Sequence, residues 1–247
     1  MIRDQETINH LIDVIERFVR ERLIPNENRL AEEAKLPDDI LQEMKELGLF
    51  GLTIPEEYGG LGLTMEEEIL VAIELGRTSP AFRSIMGTNN GIGSAAVVFN
   101  GSEEQKQKYL PRYASGEWIS CFCLTEPEAG SDAASLKTSA RREGNHYILN
   151  GTKRFITNAA VADTFNVMAR TNPSIQGARG ISSFIVEKGT PGITLGPIDK
   201  KMGQSGSLTC DVIFEDCPVP AENLIGTEDG GFITAMKVLD RGRLHIS

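Results

Sequence analysis

The hydrophobic repeat of this chain changes near Glu117 and changes back near Gly231, and that switch limits the folds open to it. Before Glu117 the apolar residues recur at helical spacing. Ile8, Leu11, Ile12, Ile15, Phe18 and Val19 form one such series, which Pro25 is expected to close. Pro37, Asp38 and Asp39 offer a helix start for 40–49. Thr64 is a capping residue for a helix reaching Gly76, and Glu66, Glu67 and Glu68 sit in its first turn, where the helix dipole favours anions. The small-residue stretch 87–99 predicts one buried helix. Ser102, Glu103 and Glu104 begin another, expected to stop at Leu110 because Pro111 follows.

After Glu117 the period shortens. Residues 118–124, 147–149, 165–169, 183–186 and 211–214 read as strands separated by Gly, Pro and Asn. Asn150–Gly151 reads as a hairpin turn. Strands at this spacing predict an antiparallel barrel or sandwich. From Gly231 the helical pattern returns and runs to the end of the chain. The predicted class is therefore α+β. A helical domain over 1–117 is followed by a β domain over 118–228. Residues 229–247 then open a second helical domain that is expected to be truncated.

The net charge of −10 disfavours non-specific binding to nucleic acid, which needs a basic surface. No apolar run is long enough to span a bilayer, and no secretory signal opens the chain. Cys121 and Cys123 are two apart on a predicted strand, so they share a face and pack as small hydrophobes. Cys210 and Cys217 fit no zinc spacing, and no metal site is expected. Structural cysteines of this kind point to a reducing cytoplasm.

Two stretches carry chemistry. In 123–132, a strand enters a loop containing Thr125, Glu126, Pro127, Gly130, Ser131 and Asp132. Such a loop can bring backbone N–H groups and hydroxyls to an anion, or it can simply be an Asx or Ser turn joining two strands. In 150–158, Phe155 offers an aromatic face and Thr157 a hydroxyl. That pairing suits the face and edge of a planar heterocycle, or an ordinary hairpin with a buried Phe.

Together these stretches resemble the flavin-binding half of the acyl-CoA dehydrogenase family. Pro55–Gly60, Gly101–Gln107, and Gly230–Phe232 leading to Leu239–Arg243 fit the same family in the same order. The resemblance implies FAD, with Phe122, Cys123, Leu124, Thr125, Gly130 and Ser131 along the flavin and Phe155, Ile156 and Thr157 on the other side of its ring. Many relatives have Trp where this chain has Phe155. Ser131, Asp240 and Arg243 are implied on the substrate side, though Arg243 is equally suited to an ion pair.

The implied reaction is α,β-dehydrogenation of an acyl-CoA thioester to the trans-2-enoyl-CoA. Electrons pass on to an electron-transferring flavoprotein, and relatives are usually homotetramers. The general base is a glutamate expected beyond Ser247, because the alternative family position matches Gly242. Residues 1–247 alone are then expected to be inactive. Glu126 is expected to be structural. Phe82–Arg83–Ser84 resembles a stretch with which glutaryl-CoA dehydrogenases hold a distal carboxylate, so a dicarboxylyl substrate is an alternative. A monooxygenase or a desulfinase-like lyase on the same fold is another, and a cofactor-free scaffold a third.

Overall fold

A computed structural model describes residues 2–246, with side chains described for 2–243. Seven helices precede the strands: α1 (Gln5–Phe18), α2 (Glu27–Glu33), α3 (Asp38–Glu46), α4 (Met65–Leu75), α5 (Pro80–Thr88), α6 (Ala95–Asn100) and α7 (Glu103–Ala114). Local chemistry explains their starts. Asp4 caps α1 through the N–H of Glu6. Thr64 and Glu67 form a reciprocal capping box on α4, and Ser102 and Gln105 form another on α7. Ile8, Ile15 and Phe18 turn inward and meet Leu30, Ile40, Met44, Val71 and Phe82 in one helical core.

Three helical expectations change. The winding of α1 does not stop at Pro25. It widens at Val19–Leu23, and Pro25 lies in the short turn Ile24–Asn26. The helix expected over 87–99 is divided among the end of α5, a wide turn at Asn89–Gly93, and α6. Asn89 and Asn90 are buried there, and their side-chain amides donate to the carbonyls of Tyr113 (3.1 Å) and Leu49 (2.6 Å). Helix α7 runs through Pro111 to Ala114. The carbonyl of Gln107 left without its donor lies on the exposed side, whereas Tyr113 and Ala114 are buried, so packing outweighs the lost bond.

The second part holds eight strands: β1 (Ser120–Cys123), β2 (Ser139–Glu143), β3 (His146–Thr157), β4 (Thr164–Arg170), β5 (Ile181–Glu187), β6 (Ile193–Leu195), β7 (Thr209–Pro220) and β8 (Leu224–Ile225). They form one open sheet in the order β6-β7-β3-β2-β4-β5-β8, with β1 paired to β4. The expected barrel is not closed. The ladder ends on the short edge strands β6 and β8, which do not pair with each other. Nor is it wholly antiparallel, since β1 runs parallel to β4.

Asn150–Gly151 is not a turn. Strand β3 passes straight through it, and the β2–β3 hairpin turns at Gly144–Asn145. Gly151 sits at a shift in the β3–β7 register, where a Cβ would lie 2.5 Å from Thr138 Oγ1. The extra residue at that shift belongs to β7, where Cys217 to Phe214 takes three steps against two from Leu149 to Gly151, and the close approach of Thr138 is what requires glycine in β3.

Alternation along β1 serves two cores. Cys121 and Cys123 face the sheet's own core with Leu149, Phe165, Phe184 and Val212. Phe122 and Leu124 face the other way and pack with Ala95, Tyr113, Met168 and Ile185 against the helices. After the strands, α8 (Gly231–Ile246) lays Ala235 and Val238 on this second core. No helix among the described residues is long and apolar enough to cross a membrane.

Candidate functional site

The loop after β1 is held from below by charge. Lys153 is fully buried on β3 and lies 2.7 Å from Glu126 Oε1. Its ammonium also donates to Leu124 O at 3.2 Å. Glu126 in turn accepts the backbone N–H groups of Lys137 (2.6 Å) and Thr138 (2.9 Å). Burial would raise the Glu126 carboxyl, but Lys153 and these donors hold it below the ordinary carboxylate range. Burial lowers Lys153, and Glu126 opposes that. Glu126 thus anchors the loop, the structural part that the family resemblance implied for it.

Above this pair the loop tip is narrow. Glu126 and Ala129 exchange two backbone hydrogen bonds across Pro127 and Glu128. Gly130 and Ser131 follow on the exposed surface, and a Cβ at Gly130 would meet nothing within 4 Å. Thr125 is half-buried and its carbonyl accepts the N–H of Arg154 at 2.8 Å, which sets the loop beside β3. Phe155 follows with φ of 58° and is 64 % exposed. A left-handed backbone at a bulky aromatic is strained, and here it accompanies an aromatic side chain that is largely exposed to solvent. Thr157 is half-buried at the end of the same strand.

The other expected cofactor residues take different positions. Phe122 and Leu124 are buried between sheet and helices, and Cys123 and Ile156 are buried in the sheet core. Their side chains are committed to packing, so Cys123 and Ile156 can offer an outer ligand only backbone.

A cleft of about 370 Å³ lies between α5 and α8, lined by Arg83, Ser84 and Thr88 on one side and Leu239, Gly242 and Arg243 on the other. Residues 160 positions apart are brought together here. Ser84 Oγ lies 2.6 Å from Ser207 Oγ, and Gln204 of the same loop also lines the cleft. Asp240 does not line it. Its side chain is exposed and pairs with Arg243 at 3.4 Å, so Arg243 both lines the cleft and makes an ion pair on its own helix. The described lining contains no carboxylate.

Sequence reasoning missed the charges behind the cleft. Glu68 on α4 is buried and lies 3.5 Å from Arg241 on α8. Burial raises its carboxyl, and Arg241 and Arg83 oppose the rise. Burial likewise lowers the Arg83 guanidinium, opposed by Glu68. Only the helical register could have pointed to Glu68, which shares an inward face with Val71 and Leu75. Lys153 was detectable too, because it continues the inward alternation of Tyr147 and Leu149. Among the described residues no cluster of three or more His, Cys, Asp or Glu is placed to hold a metal.

Helices, an open sheet and a returning helix thus set a loop-and-strand surface beside an interhelical cleft. The family models for the acyl-CoA dehydrogenase N-terminal domain and middle domain match residues 5–117 and 121–217. An acyl-CoA dehydrogenase of Bacillus subtilis (strain 168) is 41 % identical over 95 % of this chain and 62 % of its own length. A chain in the solved structure of the electron transferring flavoprotein of Acidaminococcus fermentans superposes with a TM-score of 0.93 at 41 % identity, over 100 % of this chain and 65 % of that one. An acyl-CoA dehydrogenase complexed with FAD from Bacillus anthracis gives 0.89 at 40 % identity, over 99 % and 41 %. The chain belongs to the acyl-CoA dehydrogenase family, and it spans less than two thirds of the length of these relatives.

Proposed function

We propose that residues 1–247 form the flavin surface and one wall of the acyl cleft of an FAD-dependent acyl-CoA dehydrogenase. The observation that carries this is the joining of two features. The exposed Gly130, Ser131 and Phe155, with the half-buried Thr125 and Thr157, adjoin α5, whose Arg83 and Ser84 line the cleft, through the Asn158–Ile85 hydrogen bond. The residues present fit the cofactor. The exposed Phe155 ring can cover a planar heterocycle, the Thr125 and Thr157 hydroxyls can bond its edge, and the open space at Gly130 and Ser131 can admit a phosphate-bearing tail.

FAD, when bound, supplies the two-electron acceptor for the reaction, and the protein supplies position. The residues described here bind and orient. Leu239, Ile92 and Gly242 give the acyl chain an apolar wall, and Ser131 suits the polar arm of the thioester. This reading assigns the base that removes the α proton to a glutamate beyond Ser247, in keeping with a described lining that holds no carboxylate. Electron transfer to an electron-transferring flavoprotein and assembly as a homotetramer belong to the same proposal. The structural relative from Acidaminococcus fermentans supports the former.

Arg83 favours a second reading. A guanidinium in the cleft wall suits a substrate with a distal carboxylate, because its fork pairs with both oxygens. Anaerobic titration of the full-length protein with a panel of acyl-CoAs including glutaryl-CoA tests both readings. Bleaching of the flavin band by a monocarboxylic acyl-CoA supports the first, and bleaching by glutaryl-CoA alone supports the second. A bound flavin that no acyl-CoA bleaches would count against dehydrogenation.

A further inference from the structure

We infer that the buried Glu126–Lys153 pair is a positioning device that holds the flavin loop in its binding conformation before any cofactor arrives. The inference rests on the proposed function, because it concerns the loop assigned there to FAD. Four hydrogen bonds converge on these two side chains. Lys153 Nζ reaches Leu124 O at the start of the loop, and Glu126 takes the N–H groups of Lys137 and Thr138 at its end, with the ion pair between. Two side chains therefore join both ends of a fifteen-residue segment, 124–138, to the floor of the sheet. Arg170 adds a third tether, donating to Ala134 O (2.8 Å) and Leu136 O (3.3 Å).

The placement of the charges supports a role beyond packing. Burying a lysine and a glutamate costs more in desolvation than their attraction is certain to return, and an apolar pair of equal volume commonly serves stability as well. An apolar pair, however, could not take two amides and a carbonyl from the loop. Binding to a loop already fixed avoids the ordering cost that a mobile loop would impose on the ligand.

Two measurements on the full-length protein test this. The first is hydrogen exchange at the Lys137 and Thr138 amides, with FAD removed and restored. Protection already present without FAD is the expected result, and protection that appears only on FAD binding would overturn the inference. The second is FAD titration of the double variant Glu126→Met/Lys153→Met, which removes both charges and the acceptor of the two loop amides and keeps the packing. It is expected to melt, FAD-free, close to the parent. Its FAD dissociation constant should rise about ten-fold or more, the factor that 1.4 kcal/mol produces. Unchanged FAD affinity in a folded double variant would overturn the inference while leaving the proposed function intact. If the double variant does not fold, the exchange measurement on the parent decides. A parent that binds no FAD removes the proposed function and this inference together.

Discussion

The side-chain amide of Asn158, just past the end of β3, donates to the carbonyl oxygen of Ile85 on α5 at 2.9 Å. Asn158 is buried and has a φ of 70°, a conformation that Asn tolerates better than most residues. One residue thus serves as both the left-handed turn after the strand and the bond to the cleft helix. Asn158→Gly keeps the backbone and loses the bond, at about 1 kcal/mol. Asn158→Val loses both and should cost about 2–3 kcal/mol. Urea unfolding of the three proteins should rank them in that order, and equal midpoints for the two variants would show that the backbone term is absent.

Phe155 combines strain with exposure. Phe155→Gly relieves a left-handed cost of about 1–2 kcal/mol while giving up little buried area. The variant should melt no lower than the parent, yet bind FAD more weakly for want of a ring face. A clear drop in melting temperature would mean that the ring packs within the fold rather than serving a ligand.

At Gly242 the cleft depends on a missing side chain, since a Cβ there would face Ile92 at 3.1 Å. Gly242→Leu places a branched chain in a space of about 370 Å³. Binding of acyl-CoA by the full-length holoprotein should weaken, most of all for long acyl chains, while FAD content stays the same. Equal weakening for all chain lengths would place the acyl group elsewhere.

Glu67 should show in acid. Burial would raise its carboxyl, but the N–H groups of Arg3 and Thr64 and the guanidinium of Arg3 hold it at about 2. A folded value below the unfolded one stabilises the protein above about 4.5, and that gain is lost as pH falls through about 2. Glu67→Gln should therefore be less stable than the parent at neutral pH, and the gap should close between about pH 4.5 and 2. A gap that stays constant over that window would assign the loss to packing.

Much of this protein was legible because it is decided over a few residues. The capping boxes of Thr64 with Glu67 and Ser102 with Gln105 close within one helical turn, and the shared face of Cys121 and Cys123 follows from a strand's period of two. The family motifs also led to the loop at Thr125–Ser131 and to Arg83, Ser84 and Arg243, the last three of which the fold brings to opposite sides of one cleft. The rest depended on partners that sequence spacing does not reveal. Asn150–Gly151 has the composition of a turn, but Thr138 and β7 lie against it, so it became part of a continuous strand, opposite an extra residue of β7. Pro111 should have ended α7, but the burial of Tyr113 and Ala114 carried the helix on. The sheet stayed open because its edge strands β6 and β8 do not pair, although only β7 separates them in the chain, and spacing does not reveal which strands will meet. Tertiary structure alone joined Lys153 to Glu126 and Arg241 to Glu68, because burying a charge is tolerated only where folding delivers its counter-charge within reach.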